Sequence, residues 1–316
     1  MSDRSLTSLA CLLLTQRLVE GDALPLRASE YWPLLDRVGD PARLLGLDVA
    51  GLAAAGGVDR AHAERITKLF DAATAVALEL DRVEQSGLRV LASVDDGYPP
   101  GLVERLGSTA PPLLCVAGDP RLLRVDLLGV VGARDVDADA AQVARGAGFE
   151  AARRRFGVVS GFAKGVDRLA MGAAIEAGTS ATGILAESLT RAVQDADVRR
   201  SVAAGDLCLC TPYKPTTGFS VGNAMGRNKL IYALSAGTLV VAADAEKGGT
   251  WAGAVEALRH ETAPVLVWVG AGARSGNARL VDEGATPLDS LDVLFPLPER
   301  PAGSERRRVS QLALDL

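Results

Sequence analysis

A glycine-rich turn that holds a lysine is the segment of this chain best suited to bind an anion. Residues 157–168 read GVVSGFAKGVDR, which predicts a buried parallel strand, a tight turn and the start of a helix. Gly161 and Gly165 let the backbone approach a ligand closely. The first amides of the helix favour negative charge, and Lys164 adds a positive charge beside them. Asp167 is expected to cap the helix or to pair with Lys164.

Three other loops place similar residues at the ends of predicted strands. Gly132 and Arg134 follow one strand, and an arginine there suits a phosphate or a base edge. Arg227 and Lys229 are predicted in the first turns of a helix, where cations oppose the macrodipole and an anionic ligand would explain them. Residues 246–250, EKGGT, again set glycines before a helix. The predicted binding residues are Gly132, Arg134, Ser160, Gly161, Lys164, Gly165, Asp167, Asn223, Arg227, Asn228, Lys229, Gly248, Gly249 and Thr250.

The elements that must position these loops alternate between strand and helix from about residue 125. Strands are predicted at 126–131, 157–160, 181–185, 206–210, 237–242 and 264–269. Helices are predicted near 137–155, 166–177, 190–203, 223–235 and 250–260. This alternation predicts an α/β fold with a doubly wound, mostly parallel sheet. Ligands bind such sheets at the carboxyl ends of the strands, where the strand order switches, and the four loops lie at such ends.

A small helical domain is predicted ahead of the sheet. Asp59 is expected to cap a long helix from His62 to Val83. The hairpin at residues 52–58 fits either a helix-hairpin-helix phosphate contact or a plain turn between helices, and the acidic charge of this part of the chain favours the plain turn. The pattern changes near residue 86. We therefore predict a helical domain at 1–85, an α/β domain at 86–296 and a flexible tail at 297–316.

Composition narrows the classes of function. The chain has 316 residues, is 48% apolar and carries a net charge of −5, so any site for a polyanion must be a local patch. No apolar run is long enough to span a bilayer, and four scattered cysteines fit a reducing compartment, which predicts a cytoplasmic protein. The residues indicate no catalytic group, no metal site and no cofactor.

Taken in chain order, these loops resemble those of the DprA/Smf DNA-processing proteins. The resemblance covers roughly residues 86–290 and implies an extended Rossmann-like fold, with the preceding helices similar to the variable helical domain, SAM-like or helix-hairpin-helix-like, of many members. The matching segments are Tyr98–Pro100, Pro112–Asp119, Val131–Arg134, Ser160–Asp167, Gly222–Ile231 with Leu234–Ser235, Gly248–Thr250 and Asn277–Ala285.

This resemblance implies a non-enzymatic DNA-binding function. It implies a single-stranded DNA-binding recombination mediator that protects incoming strands in natural transformation and helps to load RecA, and it implies a homodimer. Arg134 and Lys164 match the pocket-lining basic positions of the family, and we predict that together they form one anion site. Arg227 and Lys229 match its Arg-Asn-Arg region. The chain has Ala224 and Met225 where the family usually has phenylalanine and proline.

Other functions also fit the sequence. Related Rossmann-like proteins bind small nucleotides with similar loops, so a nucleotide-ligand sensor is one alternative. A nucleotide-processing hydrolase is another, because Lys247–Glu256 has the glycines of such enzymes, although at a different spacing. The apolar segment Val265–Trp268 is expected to contribute to a dimer interface. Gln311–Leu316 resembles the short motif with which proteins dock on the bacterial sliding clamp, but it lacks the terminal aromatic residue.

Overall fold

A computed structural model of the chain describes residues 4–297. The predicted tail and its clamp-like segment at 311–316 therefore lie outside the described residues. By internal contacts the chain forms two compact units. Among the described residues, the first unit contains 4–115 and 212–214, and the second contains 116–211 and 215–297. Within residues 4–297, no helix has both the length and the apolarity needed to cross a membrane.

The first unit is mostly helical. The long helix predicted from His62 to Val83 is in fact two helices, divided at Ala72. Asp59 caps the first of them as predicted, since its carboxylate accepts the His62 amide at 2.8 Å. The elements are α1 (Leu6–Thr15), α2 (Ala28–Val38), α3 (Val49–Gly56), α4 (Arg60–Asp71), α5 (Ala73–Gln85), β1 (Leu88–Ala92), α6 (Pro100–Leu106) and the first three residues of β2 (Leu113–Ala117).

The hairpin at residues 52–58 is a turn between packed helices. Most of it belongs to the end of α3, and Gly57 ends that helix in the left-handed conformation at φ 57°. A side chain at Gly57 would overlap the guanidinium of Arg37. The Asp59 carboxylate occupies the N-terminal turn of α4. A phosphate there would face this negative charge, so the structure favours the plain-turn interpretation.

The second unit is built on a sheet of seven parallel strands, which confirms the predicted fold class. Each inner strand is buried along its whole length, as expected when helices cover both faces of a parallel sheet. The strand order is β6-β5-β4-β3-β7-β8-β9. The strands are β3 (Leu127–Val131), β4 (Gly157–Ser160), β5 (Ala181–Ile184), β6 (Leu207–Thr211), β7 (Gly237–Val240), β8 (Val265–Trp268) and β9 (Thr286–Leu288).

The strand order places a topological switch between β3 and β7. From β3 the chain adds β4, β5 and β6 on one side, and then returns to add β7, β8 and β9 on the other. The register pairs Leu128 with Val158 on one side of β3 and Val130 with Leu239 on the other. The carboxyl ends of β3 and β7 therefore lie side by side, which is where a ligand is expected in this fold.

The helices of the second unit follow the predicted alternation, with one correction. The single helix predicted at 190–203 is two helices, because Asp195 accepts the amides of Asp197 and Val198 and starts a new helix there. The helices are α7 (Ala138–Arg153), α8 (Val166–Glu176), α9 (Leu189–Ala192), α10 (Ala196–Ala204), α11 (Val221–Leu234), α12 (Gly248–Arg259) and α13 (Ser275–Asp282).

The apolar segment Val265–Trp268 does not present an edge. As β8 it pairs with β7 on one side and β9 on the other, and its four residues are buried. Its apolar character is therefore explained by the interior of the sheet. The expectation that this segment contributes to a dimer interface is not supported by its position.

Helices α7 and α8 approach each other closely at a glycine. A side chain at Gly148 of α7 would overlap the carbonyl oxygen of Ala170 and lie 2.9 Å from the Ala173 Cβ. Gly172, on the exposed side of α8, has nothing within 4 Å of the place where a side chain would begin. The two glycines therefore differ in packing although both lie inside helices.

We predict that Gly148→Ala lowers the free energy of unfolding by about 1–3 kcal/mol, because the methyl group forces α7 and α8 apart. The matched variant Gly172→Ala should raise it by up to about 1 kcal/mol, because alanine favours the helix and meets no neighbour. Urea unfolding followed by circular dichroism measures both. Equal stability of the two variants would show that the helices can separate without cost.

Candidate functional site

A cavity of about 640 Å³ opens at the switch between β3 and β7. Loops that follow five strands, β3, β4, β6, β7 and β8, form its wall together with residues of α8, α11 and α12. Of the predicted binding residues, eight line it. These are Gly132, Arg134, Asp167, Arg227, Asn228, Gly248, Gly249 and Thr250. The remaining six, Ser160, Gly161, Lys164, Gly165, Asn223 and Lys229, do not line it.

The loop after β3 brings Arg134 to the cavity. The Ala133 amide donates to the Ala242 carbonyl at 2.9 Å, which ties this loop to the end of β7. Arg134 is exposed, and its guanidinium carbon lies 5.0 Å from the centre of the Phe219 ring. Within residues 4–297 no carboxylate forms an ion pair with Arg134. Its positive charge therefore faces the cavity and solvent.

The loop after β4 adjoins the Arg134 loop through backbone contacts. Gly165 has φ 90°, and a side chain there would overlap the Ala133 carbonyl and lie 2.5 Å from that of Arg134. The neighbouring strands β3 and β4 thus bring the two loops together, as the sequence predicts. Lys164 is exposed on this loop but does not line the cavity. Arg227 of α11, and not Lys164, supplies the positive charge of the cavity wall beside this loop.

Arg227 and Asp167 form a buried group of charges around Gly161. Arg227 is 6% exposed and Asp167 is 6% exposed. A side chain at Gly161 would overlap the Arg227 guanidinium and lie 2.7 Å from a carboxylate oxygen of Asp167. This glycine therefore makes room for a buried arginine, whereas the sequence assigned it to the approach of a ligand.

Burial dominates the protonation of Asp167. It raises the pKa of the Asp167 carboxyl, although the nearby Arg227 charge and the Ala163 amide, which donates at 3.2 Å, both act to lower that pKa. Burial also raises the pKa of the Tyr232 hydroxyl, and the Asp167 charge adds to this effect. Ser160 is structural, since its buried hydroxyl donates to the Val130 carbonyl at 2.5 Å. The Ala163 amide, the Ser160 hydroxyl and the Arg227 charge thus surround Asp167, and among the described residues no ion pair joins it to Lys164.

Helix α11 begins earlier than predicted, which changes the interpretation of Arg227 and Lys229. Ser220 caps it by accepting the Asn223 amide at 3.0 Å, and the helix starts at Val221. Arg227 and Lys229 are therefore beyond the first turn, where the macrodipole has little effect. The prediction that they stand at a helix N-terminus is wrong. The Asp167 charge accounts for Arg227 instead.

Two predicted binding residues on α11 make contacts within the protein. Lys229 forms an ion pair with Glu256 of α12 at 3.0 Å. Asn228 donates to the Gly249 carbonyl at 2.9 Å and so fixes the start of α12 against α11. Lys229 therefore adds no free charge to the cavity. Glu256, its partner, does not line the cavity either.

Sequence reasoning missed six lining residues that carry charge or an aromatic ring, which are Asp135, Phe219, Tyr232, Asp244, Lys247 and Arg274. Phe219 precedes α11, and Asp244 follows β7. Arg274, beyond the end of β8, pairs with Asp244 at 2.9 Å and donates to the Asp135 carbonyl. Lys247 is exposed, directly before α12, and was grouped with its loop but not selected. The rule that sites lie at carboxyl strand ends would have found Arg274, but the sequence gives no such signal for Phe219.

The charges of the cavity are nearly balanced. Four cationic and three acidic side chains line it, which leaves one positive charge in excess. The cationic residues are Arg134, Arg227, Lys247 and Arg274, and the acidic ones are Asp135, Asp167 and Asp244. Arg227 and Arg274 have acidic neighbours within the wall. Arg134 and Lys247 are therefore the cations best placed to meet an anionic ligand.

The cysteines are not part of a site. All four are buried, and burial raises the pKa of the Cys115 and Cys208 thiols to about 12. A thiol with such a pKa is not a nucleophile near neutral pH. In the part of the chain that the structure describes, no cluster of three or more side chains could hold a metal ion.

The raised pKa of Asp167 predicts a specific pH dependence. Ionising a carboxylate whose pKa is raised on folding costs stability, so this contribution is present below the unfolded pKa and lost as pH rises through the folded pKa. Asp167→Asn cannot ionise. We expect the free energy of unfolding of this variant, relative to that of the wild type, to increase as the pH is raised from about 4 to about 8. Urea unfolding across this range measures the difference, with the exposed Asp139→Asn as control. If instead the wild type becomes more stable relative to Asp167→Asn as pH rises, burial does not determine the direction of the Asp167 pKa shift.

Comparison with known proteins places the chain in a family. A family model described as DNA recombination-mediator protein A matches residues 89–296. DNA processing protein A (DprA) from Streptococcus pneumoniae is 23% identical, with a TM-score of 0.63 over 83% of this chain and 93% of that one. DNA processing protein A from Helicobacter pylori, whose structure concerns its single-stranded DNA binding mode, is 21% identical, with a TM-score of 0.55 over 65% and 93%. No curated protein matches the chain. The chain belongs to the DNA recombination-mediator protein A family.

Proposed function

We propose that this protein binds single-stranded DNA and acts as a recombination mediator. The observation that carries the proposal is the cavity at the switch between β3 and β7, where Arg134 and Lys247 are exposed and have no ion pair within the described residues. Membership of the DNA recombination-mediator family supports it. So does the single-stranded DNA binding mode of the Helicobacter pylori relative.

In this proposal the DNA backbone crosses the edge of the sheet at two adjoining loops. Arg134 contacts the DNA from inside the cavity, with a guanidinium that suits a phosphate or a base edge. Lys164 acts as a point charge from the neighbouring loop, which packs directly against the Arg134 backbone. The protein would protect incoming strands, as in natural transformation, and act as a homodimer. A second copy would extend the DNA-binding surface.

We predict that Arg134→Ala and Lys164→Ala each weaken the binding of single-stranded oligonucleotides of any sequence. Each should also reduce the dependence of log affinity on log salt by about 1, because each removes one phosphate contact. Fluorescence anisotropy at several salt concentrations measures both effects. Arg200→Ala is the matched control, since Arg200 is an exposed arginine of α10 outside the cavity wall.

The folding of these variants should be nearly unchanged, because an exposed charge contributes only about 0–1 kcal/mol to stability. Thermal melts check this point. If both variants keep wild-type affinity and salt dependence with unchanged melting, DNA binds elsewhere or not at all. If Arg134→Ala alone is affected, the DNA contacts the cavity but not the loop of Lys164.

The near balance of charge in the cavity favours one second candidate, a sensor of small nucleotides. A single excess positive charge suits a mononucleotide better than a long polyanion. The two functions differ in salt dependence. Binding of an oligonucleotide should weaken steeply with salt, whereas binding of a mononucleotide should change little. Competition between the two ligands in the same anisotropy experiment would show whether they share the cavity.

We further propose that the bound strand is passed to a RecA-like recombinase. The wild type should shorten the lag before recombinase ATPase activity on DNA covered by single-strand-binding protein, because a mediator starts filament assembly at a site that is otherwise blocked. Arg134→Ala should lose this effect in proportion to its loss of DNA affinity. A wild type that binds DNA but leaves the lag unchanged would remove the mediator step from the proposal.

A further inference from the structure

Phe219 is an aromatic side chain with an accessible face in the cavity wall. It is 50% exposed, directly before α11. Tyr232 also lines the cavity, but it is 2% exposed. Among the lining residues that the structure describes, Phe219 is therefore the aromatic ring that a ligand can reach. Single exposed apolar side chains are common on protein surfaces, so what distinguishes Phe219 is its position in the cavity wall, against Arg134.

The contact with Arg134 shows that a flat group fits against this ring. The Arg134 guanidinium carbon lies 5.0 Å from the ring centre, in the range of a cation–π contact. The guanidinium is planar, as a nucleobase is. At this separation a base cannot enter between ring and guanidinium unless one of them moves. Because Arg134 has no ion pair within residues 4–297, it is the group that is free to move.

We propose that Phe219 is the stacking platform for one nucleobase of the bound strand, and that the base displaces Arg134 toward the adjacent phosphate. This inference rests on the proposed function and names the contact that it uses. One base then leaves water and stacks on the ring of Phe219, and the displaced guanidinium contacts the phosphate next to that base. A single nucleotide unit thereby engages the two residues that contact each other in the free protein.

This arrangement separates the contributions of the two residues. Arg134 contacts charge, so its removal changes the salt dependence of binding. Phe219 contacts a base face, so its removal should lower affinity without changing that dependence. The loss for one stacked base is about 5- to 150-fold in affinity. Sequence preference should be weak, because every base has a face that can stack.

The test compares Phe219→Leu, which keeps an apolar side chain, with Phe219→Trp, which keeps an aromatic face. The probes are a fluorescein-labelled deoxythymidine oligonucleotide of about 16 nucleotides and an abasic oligonucleotide with the same number of phosphates. On the thymidine probe, Phe219→Leu should bind about 5- to 150-fold more weakly than the wild type with unchanged salt dependence. Phe219→Trp should retain affinity. On the abasic probe, wild type and Phe219→Leu should bind alike.

Three outcomes would overturn the inference. If Phe219→Leu binds the thymidine probe as well as the wild type while Arg134→Ala binds it weakly, the proposed function stands but Phe219 does not stack. If Phe219→Leu loses affinity equally on both probes, the ring supports the loop and not a base. If the wild type binds neither probe at low salt, the proposed function fails and the stacking role fails with it. Thermal melts confirm that each variant is folded.

Discussion

An arginine and a carboxylate buried together at the end of a parallel sheet restrict everything that packs around them. Arg227 comes from α11 and Asp167 from α8, and both lie beside Gly161 directly after β4. A buried charge is very costly unless an opposite charge or hydrogen bonds compensate it, and removing one partner of such a pair costs about 3–5 kcal/mol. Two helices and a strand end must therefore keep their positions together, which gives the cavity a fixed wall.

The cations of the cavity are of two kinds, those with acidic neighbours in the wall and those that are exposed. Arg227 and Arg274 have acidic neighbours within the protein, and their main effect is to hold elements in place. Arg134 and Lys247 are exposed and extend toward the open space. Only the second kind can meet an anion without breaking an internal ion pair. The ligand-binding capacity of the site therefore depends on fewer cations than the basic residues in its loops suggest.

The sheet could be predicted from the sequence because buried parallel strands appear as short apolar runs, and their order of appearance fixes the loops at one edge. This reasoning found Arg134, Asp167 and the two glycines that begin α12. It could not decide between Lys164 and Arg227, because the spacing of two cations does not show which one is buried. That choice depends on the carboxylate that faces each cation across the fold. For Arg227 this is Asp167, from a different helix.

Helix boundaries set the other limit of prediction. The capping side chains of Ser220 and Asp195 move helix starts by a few residues or divide one helix into two, and a serine or aspartate serves equally well in a turn. Phe219 was missed for a related reason. It lies in an irregular segment ahead of Ser220, where no periodic pattern indicates the direction of a side chain. Its place in the cavity follows only from the path of that loop.

The balance of charge and the accessible ring together bear on how this fold could distinguish single strands from duplex DNA. Phosphates are common to both, so a cavity that depended on cations alone would bind either. One excess positive charge gives little affinity for a polyanion, so under the proposed function the remainder would come from a contact that duplex DNA does not offer. The face of a base is such a contact, because in a duplex it is covered by its neighbours and in a single strand it can stack on an aromatic side chain. If DNA binds here as proposed, a nearly neutral cavity with an exposed ring would favour single strands more strongly than a basic one, since its weak electrostatic attraction would leave the base contact to decide between the two forms.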